Sequence, residues 1–536
     1  MRTVPTYCLR LALVSIAAGV GCKPLADPVF ELKSLDLSAI PVRVPEGAGL
    51  ISIPVNLAHP PTRELSASYH TVDLTAQSDC QVPDFEMTAG RLVWSVGEVA
   101  AALQIWIDDD DLAETDEQLK LVFDDPGRAL PSESQEIVIE IADDDRTALI
   151  DARASFGVEP NSTLDQSKPL QNALDEAAAR GRGVVVLAPG DNEVTSVALH
   201  PGTTLSGPFA QLHRPARSAV DVKTLVIKHS GDLDSAPTLV EGISIDGRRA
   251  LQGAYVGYER ELANLVEVSG DPRTRGRLRV SLENLTMIAG TGDGISVGTN
   301  VDGRLCHVHG QDLWRDMLSV RGGDTKLRVR DLDANASEGK SGLWFDGGTR
   351  GFSGTRHLDI ELEDLRLETG DVEIDVSDAS RVTVERLVMT QAPFRLAAPG
   401  SSVRISDSVI VSGPRVPSNN YWGEFQDVEV RNSTLRVSES AEAGANPVAS
   451  ETAEADRELT AVRIEWPAPT AGAMATGTLL FENCFFDRAN DVESSDTVYA
   501  ITSRDQGPTI RVLASTLSTA FQDWFAPGCT NCRRDP

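Results

Sequence analysis

Apolar residues alternate with polar ones through the first quarter of the chain. Ile51, Ile53, Val55 and Leu57 form one such set, Leu103, Ile105 and Ile107 a second, Leu119, Leu121 and Phe123 a third, and Ile137, Ile139 and Ile141 a fourth. Successive side chains of a strand point to opposite faces, so each set lines one face. Several such strands separated by turn residues between Phe30 and Asp145 predict an antiparallel β-sandwich. After Ser155 the period changes. Leu170, Ala173, Leu174, Ala177 and Ala178 share one face of a short helix that ends at Gly181, and Val184 to Leu187 follows as a buried strand. The helix caps something apolar. Beyond it a short apolar-x-apolar unit recurs at Val280/Leu282, Cys306/Val308, Leu327/Val329, Leu358/Ile360, Val382/Val384, Val403/Ile405, Val428/Val430, Leu479/Phe481 and Ile510/Val512. A second series, including Ile295/Val297, Leu318/Val320 and Leu343/Phe345, lies between them. Units this short cannot bury their own faces, so they predict a stacked solenoid with an apolar interior. The Ala/Glu/Ser-rich stretch from Glu439 to Arg457 reads as a flexible loop ejected from that coil.

The expected class is therefore all-β. Its predicted parts are a signal peptide over 1–21, a tether over 22–30, a β-sandwich over 31–147 and a coil over 148–536. Arg2, Arg10, the apolar run Leu11 to Val20 and the small residues before Cys22 have the form of a secretory signal, too short to span a bilayer comfortably. Gly19-Val20-Gly21-Cys22 resembles a bacterial lipobox, which implies lipidation of Cys22, export, and a membrane contact made only through that lipid; an ordinary cleaved signal is the other reading. With 80 acidic against 49 basic residues the chain carries a net charge of −31, a field that repels phosphate backbones and excludes nucleic acid as partner. The cysteines are too few and too scattered for a disulfide framework, and only Cys529 and Cys532 are spaced for a local disulfide.

Carboxylates gather where strands end, at Asp108 to Asp111, at Glu114, Asp116 and Glu117, and at Asp143 to Asp145. Aligned strands would crowd these charges at one pole, where either solvent or a hard divalent cation neutralises them. Glu46-Gly47, Asp84-Phe85, Gly90-Arg91-Leu92-Val93-Trp94, Gly97-Glu98, the run Asp109 to Glu117 and the Asp143 triplet together resemble the Calx-beta module. That resemblance implies calcium as cofactor, with ligands at Glu46, Asp84, Asp109, Asp110, Glu114, Asp143, Asp144 and Asp145. Further on, Phe156-Gly157-Val158, Leu170 to Leu174, Val184 to Gly190 and Thr204-Leu205-Ser206-Gly207 resemble the opening of pectate-lyase-like proteins, which implies a right-handed parallel β-helix.

Asp293 and Asp316 each precede a corresponding short strand, so stacking places them on neighbouring turns. Two carboxylates on one open face can act as general acid and base on a glycosidic bond, and the order weakly resembles that of polygalacturonases; a turn residue bonding its own backbone is the other reading. His307 and His309 offer either a metal-ligand pair or plain surface histidines. Arg315, Arg321, Arg350, Trp314 and Trp344 fall near the same face, and guanidinium and indole groups suit a uronic-acid polymer. The function expected is an exported, lipid-anchored cell-surface protein with a calcium-binding sandwich and a β-helix that binds polysaccharide or serves adhesion. The alternatives are an enzyme acting on acidic glycans, as lyase or glycoside hydrolase, and a purely structural envelope component.

Overall fold

A computed structural model of the chain describes residues 35–36, 43–57, 59–80, 83–124, 135–216, 222–229, 236–252, 263–274, 276–335, 341–346, 357–377, 379–390, 394–412, 421–437, 459–464, 478–488, 498–503, 509–517, 523–525 and 532–535. Cys22, Arg350, the 439–457 loop and Cys529 lie outside the described residues.

The period-two segments pair into two facing sheets. Leu35–Asp36, Gly49–Leu57 and Ala100–Ile107 make the first. The second runs in the order Arg43–Pro45, Gln135–Ala142, Glu117–Asp124, Leu65–Asp73, Ala89–Trp94. Between them lie Ile53, Val55, Leu103, Ile105, Leu119, Leu121, Phe123 and Ile139, all buried. Trp94 is buried with them and donates its Nε1 hydrogen to the Val55 carbonyl at 3.3 Å, so its one polar atom is satisfied. The sandwich is antiparallel with one exception: Arg43–Pro45 runs parallel to Gln135–Ala142.

The coil begins at Ala148–Asp151, which pairs in parallel with Gly183–Val186. Between these strands, helix Ala152–Phe156 starts on an Asp151 cap, whose side chain accepts from the Ala154 N–H at 2.8 Å. Helix Ser167–Ala179 then buries Leu170, Ala173, Leu174 and Ala177 against the first turns, closing the apolar end as its spacing predicts.

Many later turns join one long bent strand to one short strand, as in Leu278–Ile288 with Ile295–Val297 and Val301–Gln311 with Leu318–Arg321, and toward the C-terminus the long strand divides at its bend, as in Thr478–Glu482 and Phe485–Arg488. All of these pair in parallel with the turns before and after, so the coil is a parallel β-helix. The bend in the long strand is a residue at positive φ that recurs in register: Gly242 (φ 67°), Asn284 (53°), His307 (52°), Asp331 (52°), Asp364 (56°), Arg386 (56°), Asp407 (51°), Asn432 (49°) and Asn483 (54°). Gly, Asn and Asp predominate because they enter the left-handed region at least cost.

That corner also corrects one strand assignment. Cys306 does not face inward with Val308, because the corner at His307 breaks the alternation. The inward residues are Leu305 and Val308, and Cys306 points outward into a disulfide with Cys80 of the sandwich, Cα to Cα 5.8 Å. The cysteines therefore do staple the fold, across 226 residues of sequence.

Candidate functional site

The acidic pole of the sandwich sits against the coil. Cys80–Cys306 joins the two, Thr204 donates its hydroxyl to the Ala113 carbonyl, and Arg279 grips Asp111 bidentately at 2.7 and 3.0 Å. The outer acids of the pole have cationic partners. Arg182 holds Asp145 at 2.5 Å, and Arg146 holds Asp116 at 2.5 Å and approaches Asp143 at 3.5 Å. Asp143 also accepts the backbone N–H groups of Glu114 (3.0 Å) and Arg146 (3.1 Å).

The inner acids have no such partners. Ligand oxygens of Glu46, Asp110 and Asp145 lie within 4.8 Å of one another, and so do those of Asp84, Glu114 and Glu117. Among the described residues no Lys or Arg forms an ion pair with Glu46, Asp84, Asp110, Glu114 or Glu117. Burial, reinforced by Asp110 and Asp143, pushes the Glu46 carboxyl up to about 8. Burial likewise raises Asp84 and Asp110 to about 7. Glu114 and Glu117 are driven well above the usual carboxylate range by burial and then by their acidic neighbours. Such a group of hard oxygen donors, without nitrogen or sulfur ligands, fits calcium in its chemistry.

Of the eight ligands expected from sequence, Glu46, Asp84, Asp110, Glu114 and Asp145 fall in these two clusters. Asp143 borders them through its backbone contacts, whereas Asp109 and Asp144 are exposed and join neither. Three further acids bear on the site: Glu117 completes the second cluster, and Glu241 and Glu283, outside both clusters, act on Glu114 through their charge. Glu117 opens a strand, and the sequence marks it only as part of the acidic run. Glu241 and Glu283 come from the coil, in long strands where an acid is indistinguishable from any outward polar residue.

The second candidate lies on the short-strand face. Ile295 pairs with Leu318, which puts Asp293 and Asp316, each two residues earlier, on adjoining turns. Both are fully buried. Asp293 Oδ2 accepts from Ser319 Oγ at 2.6 Å and from Arg321 at 3.0 Å, while Arg315 stands 3.6 Å from its Oδ1 and 3.7 Å from Asp316. Burial raises the Asp293 carboxyl, with the Arg321 and Arg315 charges pulling it back down. Both guanidinium groups stack on Trp344, at 4.6 Å for Arg321 and 5.5 Å for Arg315. Trp314 is separate, beneath Arg249 at 5.9 Å. His307 bonds Asp331 and Asp79, and His309 is exposed and outside every metal-type cluster of the described residues.

Residues 32–145 match the Calx-beta domain family. A search of the curated proteins finds no match to the chain. Among solved structures, CBD12 from CALX1.2 is similar at 24% identity over 22% of this chain and 47% of that one, with a TM-score of 0.20. The chain thus spans about half of that structure. The A-module of the mannuronan C-5 epimerase AlgE6 from Azotobacter vinelandii is similar at 13% identity over 72% of this chain and 99% of that one, with a TM-score of 0.49. A family 28 exopolygalacturonase from Yersinia enterocolitica is similar at 11% identity over 90% and 95%, with a TM-score of 0.39. The chain is therefore similar to the Calx-beta domain family over residues 32–145 and continues from there as a parallel β-helix.

Proposed function

We propose that the chain is an exported cell-surface protein, anchored through a lipid on Cys22, whose sandwich binds calcium and whose β-helix binds an acidic polysaccharide. The observation that carries the glycan reading is the cover over Asp293 and Asp316. A general acid must reach the glycosidic oxygen, yet both carboxylates are sealed beneath Arg315 and Arg321, which with Trp344 form the outward part of the site. Guanidinium groups paired with carboxylates below and an aromatic face beside them suit recognition of a uronate ring better than its cleavage. Calcium suits the inner acids of the sandwich, with which no arginine among the described residues forms an ion pair.

The test is retention of the full chain on immobilised polygalacturonate, run together with assays for reducing ends and unsaturated products. Wild type is expected to be retained without releasing product, and Arg321→Ala and Trp344→Ala are each expected to weaken retention about tenfold or more, the loss of one desolvated ionic or stacking contact. Product release that vanishes in Asp293→Asn or Asp316→Asn would replace binding with catalysis.

A further inference from the structure

The register of the coil places Ser206, Glu241, Glu283 and Cys306 in one outward column on four successive turns. The disulfide at Cys306 fixes the end of that column against the sandwich. Glu241 is contacted from the sandwich side by the Thr115 hydroxyl at 3.4 Å, and Glu283 is held by Ser281 Oγ from its own strand. Both glutamates thus stand at the seam between the two parts of the molecule.

Facing them across the seam is Glu114, whose residue is only 5% exposed. Its backbone is fully engaged, the N–H with Asp143 and the carbonyl with Arg146. Among the described residues its carboxylate has no hydrogen-bond or cationic partner, and the charges that act on it most are those of Asp84, Glu241, Glu283 and Asp110, all acids. The contrast with the rim is what matters. Asp111, Asp116 and Asp145 each have an arginine, whereas among the described residues no Lys or Arg forms an ion pair with the carboxylates that meet at the centre of the seam, and Arg304 and His307 act on Glu283 only through their charge. A buried, unpartnered carboxylate costs several kcal/mol unless something positive accompanies it. Among the described residues no ion pair does so, and the donors are all oxygen.

We propose that a calcium ion is held across the seam by Asp84, Glu114 and Glu117 of the sandwich together with Glu241 and Glu283 of the β-helix, so that the ion clasps one domain to the other. This extends the calcium reading above, because the site is completed by residues outside the Calx-beta domain. Without the ion the five carboxyl groups can be buried together only by taking up protons; calcium displaces those protons and turns the group into the contact that fixes the two domains together.

The experiment is calcium titration of the chelator-treated full chain, followed by calorimetry and by thermal unfolding, for wild type and for the Glu241→Gln/Glu283→Gln double variant. Wild type is expected to take up calcium and to gain thermal stability. The double variant is expected to melt no lower than wild type in chelator, since buried glutamines need take up no protons, and to bind the seam ion about 10–100-fold more weakly. Formation of the Cys80–Cys306 disulfide on a non-reducing gel reports that the variant is folded, and the single Glu283→Gln substitution provides a milder version. Calcium uptake by the variant with wild-type affinity and stoichiometry overturns the clasp while leaving calcium binding by the sandwich intact. No uptake by wild type removes both.

Discussion

His307 is gripped from two directions, its Nδ1 2.6 Å from Asp331 of the next coil turn and its Nε2 2.9 Å from Asp79 of the sandwich. Only the imidazolium donates from both nitrogens. Burial alone would lower its pKa, but the two carboxylates outweigh it and the pKa rises above 6.5. A folded-state pKa above the unfolded one contributes stability that is complete below about pH 6.5 and is lost as pH climbs through the folded value. His307→Asn, which keeps a residue tolerant of positive φ, is therefore expected to cost roughly 1–3 kcal/mol at pH 5.5 and progressively less toward pH 9. Thermal unfolding of both proteins across that range checks it, and a pH-independent gap would show that the histidine acts by shape alone. The sequence marks this residue as one of a His pair and no more, because Asp79 is 228 positions away. Glu241 and Glu283 are hidden for the same reason. Their chemistry arises from what stacking and docking bring near them, whereas Asp84, Asp110 and Glu114 sit in a local pattern that can be read directly.

The repeating corner explains both what the apolar pattern reveals and where it misleads. On most turns the two residues before the bend are apolar and spaced by two, as in Val280/Leu282 and Leu327/Val329, and these face inward. On the intervening turn the matching pair is Gly303 and Leu305, since Val280 aligns with Gly303 and Gly303 with Leu327. An added Cβ at Gly303 would lie 2.8 Å from Leu327 Cδ1, so the apolar slot is occupied by a neighbour's side chain. With that slot blank, the pattern slips to Cys306/Val308 and passes over the corner. The corner itself leaves only a weak trace, a polar residue once per turn. At Asn432 its side chain donates to Asp407 Oδ1 at 3.2 Å and accepts from Asn483 Nδ2 at 2.8 Å, a ladder running along the bend. Asn432→Val is expected to destabilise by about 1–3 kcal/mol, because a β-branched residue is strained at φ 49°. Asn432→Gly, which removes the ladder but not the permitted backbone, is expected to lose less. Chemical denaturation ranks the two, and equal losses would assign the effect to the ladder.

At the scale of the whole molecule two devices hold the sandwich on the coil, and they differ in what undoes them. The Cys80–Cys306 disulfide closes a loop spanning 226 residues, for which the chain-entropy relation gives roughly 5 kcal/mol of constraint on the unfolded chain. It depends on an oxidising compartment, consistent with the proposed export. The calcium clasp depends instead on the ion. Around both, Arg279–Asp111, Arg182–Asp145, His307–Asp79 and Thr204–Ala113 form a rim too exposed or too few to hold alone against the acids at the centre. Each device should therefore suffice without the other. Cys80→Ser/Cys306→Ser in calcium, and wild type in chelator, are expected to keep the seam protected from amide hydrogen exchange at Leu205 and at Gly47, whose N–H bonds Asp108 beside the acidic pole. The double serine variant in chelator is expected to lose that protection while Val280 and Leu282, deep in the coil, stay slow. Protection that survives the loss of both would mean that the rim contacts are enough. Protection lost on reduction alone, with calcium present, would leave the inner carboxylates with no part in holding the domains together.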